Sequence, residues 1–318
     1  MTSVGFRPPI TGTIAICTRD RAALLRRCLA SVETSIAEPG QLEVLVVDNG
    51  SSDETPRMAR EWAERGADRR VVTEPRAGLS HARNRALASS TSDVVLFTDD
   101  DALVTPGWAR AHLAAYEDPG VASSGGPVGL VWPDGRPAWM TDELTQWYGA
   151  LDLADDPCPY PTAHGPYGVN MAVRRLAAIA VGGYEPALGR VGRRLLSGEE
   201  PDLHRRLGAA GHVAVYVPAA GLVHHVTAER ADRRWLLRRG WAQGVTNARL
   251  EVLARPLPRR AAARRAAAEL GDARRRWSRR RSGADGEEEL AALARVAAHA
   301  AHGVEMLRMS VGRGPVAP

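Results

Sequence analysis

The chain has 318 residues, 44% of them hydrophobic, and a formal net charge of +5. That apolar share suffices for a sizeable core and excludes global disorder, and the length fits one large domain or one domain with an appendage. All 42 basic residues are Arg, a compositional bias that weakens any argument from Arg content alone.

Cys17, Cys28 and Cys158 are odd in number and widely spaced. This speaks against a disulfide framework and fits a reducing cytoplasm. Met1 to Pro9 lacks the apolar centre of a signal peptide, and no apolar run reaches the ~18 residues of a membrane span. The expectation is a cytoplasmic protein, at most peripheral to the inner face of a membrane.

From Gly12 to about Val131, short apolar runs alternate with amphipathic stretches. Thr13–Cys17 reads as a first strand. Arg21–Ser35 reads as a helix with Leu24, Leu25, Cys28, Leu29 and Val32 on one face. Glu43–Val47, Val71–Thr73 and Val94–Thr98 read as further strands, with Asp53–Arg65 and Ser80–Ser89 as the helices between them. Val-, Ile- and Leu-rich strands between helices predict an α/β fold with a mostly parallel sheet covered on both faces. Ligands of such sheets bind beyond the carboxyl ends of the strands. Those ends carry Thr18-Arg19-Asp20, Asp48 to Asp53, and Asp99-Asp100-Asp101.

Residues 133–166, rich in Pro, Trp and Asp, read as loops and short pieces of a lid. Mixed structure returns from His164 to Val226, with a strand at His212–Val217. Beyond about Arg233 the pattern is helical, with a stripe of Leu290, Leu293, Val296 and Ala297 and a charged connection from Arg279 to Glu289. The expected division is a sheet domain over residues 1–230 and an Arg-rich helical extension over 231–318. The arginines between Arg255 and Arg281 suit anionic headgroups. No recognition motif for nucleic acid accompanies them, and no nucleic-acid partner is expected.

Three adjacent carboxylates closing a buried strand repel one another, and desolvation sharpens the repulsion. A divalent cation relieves both, and hard oxygen ligands favour Mg or Mn. Capping a helix would need only one acid. Asp99 and Asp101, two apart on an extended strand end, share a face. Asp48 can accept a hydrogen bond from a nucleobase imide or a ribose hydroxyl, while Ser52 or Asp53 caps the following helix. Gly78 lets the chain turn into a helix that carries Arg83, within reach of phosphates. Glu199 and Glu200 open a helix, as acids placed to offset its N-terminal charge or to act as a base. His224 and His225 follow an apolar run, and a neutral imidazole there suits Mn better than Mg.

The segments TIAICTRDR, VLVVDNGSSDET, GLSHARNRAL, VLFTDDDALVTPGW, HGPYGVNMAVRR and SGEEPDLHRRL resemble, in order and spacing, the family-2 glycosyltransferases over Thr11 to Val226. The resemblance implies a GT-A fold, to which the helical C-terminal extension is added, and an inverting transfer from a nucleotide-diphosphate sugar. It implies that Thr18 and Arg19 line the nucleoside pocket and that Asp48 binds the base, which favours UDP- or dTDP-sugars. Asp99-x-Asp101 matches the DxD metal motif, with Asp101 as direct ligand and Asp99 nearer the ribose. Asp100 and Arg83 fall on the donor side, and Asn170 beside the donor sugar. Glu200 stands where the family usually places an Asp general base, and Glu199 remains an alternative. His224 completes the metal shell. The acceptor is open: a glycan, a lipid-linked sugar or a small molecule.

Two other readings compete. A nucleotidyltransferase would carry a Gly-rich loop after the first strand, and Cys17 to Arg21 contains no Gly. A non-catalytic donor-binding scaffold would not require the intact acids at 99, 101, 199 and 200.

Overall fold

The computed structural model describes residues 9–36, 42–160, 165–280 and 286–311. His164, Arg281 and most of the charged connection near 279–289 therefore lie outside the described residues, as does the start of the chain.

The first half alternates strand and helix: β1 (Gly12–Thr18), α1 (Ala22–Ser35), β2 (Leu42–Asp48), α2 (Thr55–Ala63), β3 (Arg69–Thr73), α3 (Leu79–Ser89) and β4 (Val94–Asp99). Then come β5 (Ala102–Val104), α4 (Trp108–Ala114), β6 (Val121–Gly125), β7 (Val128–Val131), α5 (Asp142–Thr145), β8 (Cys158–Pro159), β9 (Asn170–Arg174), α6 (Arg175–Ala180), α7 (Glu199–Ala209), β10 (Val213–Tyr216) and β11 (Leu222–His225). Three helices close the chain: α8 (Arg233–Ala254), α9 (Arg259–Arg280) and α10 (Gly286–Ser310).

The main sheet has eight strands in the order β3-β2-β1-β4-β9-β6-β10-β8. The strands β3, β2, β1 and β4 are parallel, and β9 runs antiparallel between β4 and β6. Residues alternate faces along each strand. Ile14, Ile16, Val44, Val46 and Leu96 join Leu25, Leu29 and Trp108 on one face. Ala15, Leu45, Val47, Val95 and Phe97 meet Leu87, Tyr184 and Leu203 on the other. Burial of such side chains stabilises the fold by roughly 1.5–3 kcal/mol each.

The parallel register sets Thr18 level with Asp48, and Cys17 level with Asp99. The polar ends of β1, β2 and β4 are thus held at one edge. A small second sheet, β5-β11-β7, lies beyond that edge. The apolar run Val213–Val223 is two strands with a turn between them, so His224 and His225 belong to β11 rather than following a strand. Pairing of β11 with β5 sets His224 opposite Ala102, and the amide of His225 donates to the Asp101 carbonyl at 2.8 Å.

Helix α8 buries Trp235 and Leu236 against Met140, Leu144 and Tyr148 of the 133–166 region, and against Leu290 and Ala294 of α10. A Cβ on Gly240 would lie 2.6 Å from the Ala294 carbonyl oxygen, and one on Gly244 would lie 2.0 Å from that of Ala298. So close an approach admits only small partners. The buried stripe of α10 is accordingly Leu290, Ala291, Ala294, Ala301 and Met306, rather than the larger residues at 293 and 296. Helix α9 buries Ala262, Ala266 and Ala273 and leaves Arg259, Arg260, Arg264 and Arg274 to Arg276 exposed. Among the described residues no helix is long and apolar enough to cross a membrane.

Candidate active site

The loops after β1 and β2 are tied together by Asp20, whose backbone takes φ 54°. Its Oδ1 accepts from the Ser52 amide at 2.6 Å and from the Ser52 hydroxyl at 3.1 Å. Those bonds hold the carboxyl below its ordinary range. Asp48 is buried and Oδ1 accepts from the Ser51 amide at 3.1 Å. Asp53 Oδ1 accepts from the Thr55 amide at 2.8 Å just ahead of α2, whose N-cap residue is Glu54. Asn49 Nδ2 donates to the carbonyls of Glu74 and Arg76, and its Oδ1 accepts from the amide of Gly78, where φ is 137°. The sequence offers Gly there because an L side chain rarely adopts that conformation.

The three aspartates part company. Strand β4 ends at Asp99 and the chain turns at Asp100 and Asp101, so the expected shared strand face of Asp99 and Asp101 does not form. Asp99 keeps its side chain a third exposed. Asp100 is buried, accepting from Thr18 Oγ1 at 2.7 Å and from Arg21 Nη1 at 2.8 Å. Burial pushes its carboxyl up, and the neighbouring Asp101 charge adds to this against the pull of Arg21. Asp101 is buried too, but Arg21 Nη1 at 2.9 Å and Arg230 Nη1 at 3.3 Å face its Oδ2. Burial alone would raise this carboxyl; His224, Arg230 and Arg21 outweigh it and hold Asp101 well below the carboxylate range.

Asp101 Oδ1 is buried and makes no hydrogen bond, although Nε2 of His224 lies 3.2 Å away. The reason lies behind the ring. Nδ1 of His224 is 3.0 Å from the Tyr148 carbonyl, which accepts only from a protonated nitrogen. In the neutral ring Nε2 is then a lone pair facing Asp101 Oδ1, with Arg230 Nη1 3.4 Å from it; in the protonated ring Nε2 donates to Asp101 instead. A divalent cation satisfies both Oδ1 and the neutral ring. Cis ligands of an octahedral ion with bonds of about 2.1 Å stand about 3 Å apart, close to the spacing here. Among the described residues no three carboxylate, thiol or imidazole groups form a complete ligand set. The pair therefore fits an ion that takes its other ligands from a substrate diphosphate and water.

The second acidic centre sits at the start of α7. Arg83 is 2% exposed, sealed by the Tyr184 ring 5.5 Å away. Its Nη1 donates to Glu199 Oε1 at 3.1 Å and to Glu200 Oε1 at 2.6 Å, and its Nη2 is 3.7 Å from Asp99. Arg83 thus holds three acids in place instead of reaching out to phosphates. Burial, and then the Glu200 charge, push the Glu199 carboxyl up. Glu200 is partly buried, and Arg83 outweighs the desolvation and keeps its pKa below the ordinary value. Gly168 is packed against this pair: a Cβ there would lie 2.1 Å from Glu200 Oε1 and 2.2 Å from Arg83 Nη2.

Asn170 is placed in the core. Its Oδ1 accepts from Trp108 Nε1 at 2.8 Å and His112 Nε2 at 3.0 Å, and its Nδ2 donates to the Pro127 and Ala220 carbonyls.

A cavity of about 1060 Å³ opens at the strand ends, lined by Thr18, Arg19 and the three aspartates on one side. The opposite side comes from the loop bearing Arg190, Arg193 and Arg194 and from Trp235, Arg238 and Trp241 of α8. Trp235 and Trp241 both line it, Trp241 exposed and Trp235 buried in the core beside Leu236. Arg21, Arg230 and the 190–194 loop carried no assigned role in the sequence reading. A run of three arginines just ahead of Glu199 was the available signal, masked by the Arg-rich composition.

Comparison with known proteins bears on this geometry. The model described as "Glycosyl transferase family 2" matches residues 13–182. A protein of Haloferax volcanii named glucosyl-dolichyl phosphate glucuronosyltransferase is 25% identical over 245 residues, covering 76% of this chain and 77% of its own length. The mannosyltransferase PcManGT from Pyrobaculum calidifontis, solved with GDP-Man and Mn2+, superposes with a TM-score of 0.56 at 21% identity, over 96% of this chain and 76% of that one. GalNAc-T7, solved with UDP, GalNAc and Mn2+, superposes with a TM-score of 0.55 at 17% identity, over 75% of this chain. This chain spans 48% of the GalNAc-T7 chain. The fold shared with these glycosyltransferases is GT-A, here with helices α8, α9 and α10 appended.

Proposed function

The chain belongs to glycosyl transferase family 2, and from that membership we propose an inverting transfer of a sugar from a nucleotide-diphosphate donor to an acceptor hydroxyl or amine. The observation that carries the reading is Arg83, one guanidinium that meets Asp99 at the strand ends and Glu200 at the head of α7. It fixes a carboxylate base relative to the donor site, as a single in-line displacement demands.

Glu200 is the base. It is the ionised member of its pair, whereas Glu199 holds its proton more tightly. As the acceptor oxygen bonds to the anomeric carbon, its proton passes to Glu200, and the bond to the diphosphate oxygen breaks on the opposite face. The electron pair leaves with the nucleoside diphosphate. Arg230, which lines the cavity and lies 3.3 Å from Asp101, meets that growing charge. Asp101 and His224 would hold Mn2+ or Mg2+, and the ion would act as a Lewis acid on the diphosphate; Asp99, turned toward Arg83, stands on the donor side instead. Thr18 and Arg19 flank the nucleoside, and Asp48 accepts from an imide N–H, which favours UDP- or dTDP-sugars.

The test is Glu200→Gln, followed by nucleotide release from a panel of UDP- and dTDP-hexoses and by nucleotide binding. Turnover should fall by roughly 10²–10⁴, the span of general-base catalysis, with nucleotide affinity kept. Near-normal turnover would remove Glu200 from this role.

A further inference from the structure

The arginines of the cavity outnumber what its acids and a nucleotide-sugar can neutralise. Nine arginines line it, against four acids. Arg21 and Arg230 are engaged with Asp101. Arg249 and Arg308 are engaged with Glu305, and Arg19 is 3.5 Å from Asp20. Arg190, Arg193, Arg194 and Arg238 have no ion-pair partner among the described residues, and all four line the same wall. The diphosphate of a nucleotide-sugar carries two negative charges, fewer than these four guanidinium groups.

The crowding extends behind that wall. Arg239 is 9% exposed; Nη2 donates to Ser197 Oγ at 2.8 Å, while Nε and Nη1 are buried without a hydrogen-bond partner among the described residues. Positive charges gathered without acids destabilise a fold unless an anion joins them.

We propose that this wall is the acceptor subsite and that the acceptor is an anionic amphiphile, an alcohol carrying a phosphate or diphosphate next to an apolar chain. The proposal rests on the glycosyltransferase reading above and names its acceptor class. Four guanidinium forks favour phosphate oxygens over a single carboxylate. The apolar part follows from α8. Trp241 is 45% exposed and stands one helical turn beyond Arg238, on the same side of the helix. Trp235 lines the cavity one turn before it. A phosphate held by the arginines thus lies beside the exposed ring of Trp241. In the transfer the phosphate is a handle and stays unchanged. The acceptor hydroxyl loses its proton to Glu200 and gains the sugar, and the nucleoside diphosphate departs.

The experiment is calorimetry on the full chain with Mn2+. UDP and GDP are titrated first. Farnesyl phosphate, glucose 1-phosphate and neutral farnesol are then titrated onto protein saturated with whichever nucleotide binds. The same series is run on the triple variant Arg193→Gln, Arg194→Gln, Arg238→Gln, whose three side chains are exposed and whose melting temperature reports folding. Farnesyl phosphate should bind alongside the nucleotide, more tightly than glucose 1-phosphate, and lose roughly 10-fold or more for each guanidinium removed. The variant should hold nucleotide within about 2-fold of the parent. Glucose 1-phosphate binding as well as farnesyl phosphate would keep the phosphate subsite and overturn the lipid part. Farnesol binding equally, or phosphates binding only by displacing the nucleotide, would overturn the subsite. If nucleotide binds and no phosphate does, the proposal falls and the glycosyltransferase reading stands. If no nucleotide binds to either protein but farnesyl phosphate still binds to the parent, that reading falls and the anion site stands.

Discussion

Replacing Gly168 by Ala should disable the site without removing any functional group. The added Cβ would sit 2.1 Å from Glu200 Oε1, 2.2 Å from Arg83 Nη2 and 2.7 Å from Arg83 Cζ. Ordinary contacts begin near ~3.5 Å, so both side chains must shift by more than ~1 Å. Arg83 has nowhere to go: it is 2% exposed and boxed in by Glu199, Asp99 and Tyr184. Glu200, the more accessible of the two, gives way and loses its 2.6 Å bond. Overpacking costs about 1–3 kcal/mol, and a hydrogen bond to a charged group is worth about 1.5–3 kcal/mol. With partial relaxation a net loss of about 3 kcal/mol is expected, near 5 °C in melting temperature for a chain of this size. A base displaced by ~1 Å should cut turnover by ~10². Melting curves and nucleotide release check the two effects. The double variant Gly168→Ala, Glu200→Asp shortens the acid by one methylene and should recover part of both. A Gly168→Ala protein with unchanged melting and turnover would refute the packing argument.

Other outcomes follow from separate parts of the structure. Nucleotide binding should be at least ~10-fold tighter with Mn2+ than with EDTA in the parent chain. In Asp101→Asn the two values should converge, and equal metal dependence in both proteins would exclude Asp101 as a ligand. His112 is buried and burial pushes its pKa down to about 4 from 6.5. Below pH 6.5 the unfolded chain takes up a proton that the folded chain refuses, so stability should fall between about pH 6.5 and 4, by up to about 3 kcal/mol. Denaturant melts of the parent and of His112→Gln across that window test this, the variant losing the slope. Gly244→Ala gains about 1 kcal/mol in helix propensity, but its Cβ would lie 2.0 Å from the Ala298 carbonyl oxygen. The clash should win by about 1–2 kcal/mol, read as a lower melting temperature and faster proteolysis between α8 and α10.

The sheet was legible because its strands are buried on both faces, and an apolar run such as Val94–Thr98 has few other places to go. The strand-end acids were legible for the same reason, since carboxylates that close buried strands need an external cause. Their detailed geometry was not. Two residues apart implies a shared face only while the chain stays extended, and it turns at Asp100. Arg83 was assigned to phosphates because its sequence neighbours say nothing of α7, which lies 116 residues further on and supplies Glu199. Asn170 was set beside the donor sugar by the family resemblance alone, since its partners are not visible in the sequence. Its partners, Trp108, His112, Pro127 and Ala220, come from three separate segments. The arginines of residues 190–194 and of α8 were hidden by composition: where every basic residue is Arg, a functional cluster looks like background.

The two acidic pairs share one design, and it bears on which member of each does the work. Arg21 Nη1 touches both Asp100 and Asp101, and Arg83 Nη1 touches both Glu199 and Glu200. Two adjacent buried carboxylates cannot both keep their charge cheaply, and one guanidinium decides between them by its distances and by what else stands near. At the first pair Arg230 and His224 add to the second acid only, and Asp101 stays ionised while Asp100 is pushed up. At the second pair the 2.6 Å bond from Arg83 favours Glu200 over Glu199, which is 3.1 Å away. Each pair thus has one carboxylate that keeps its charge to lower pH and one that is pushed up beside it. A metal ligand and a general base both require the charged form. The same physical sorting favours the proposal of Asp101 for the first task and of Glu200 for the second.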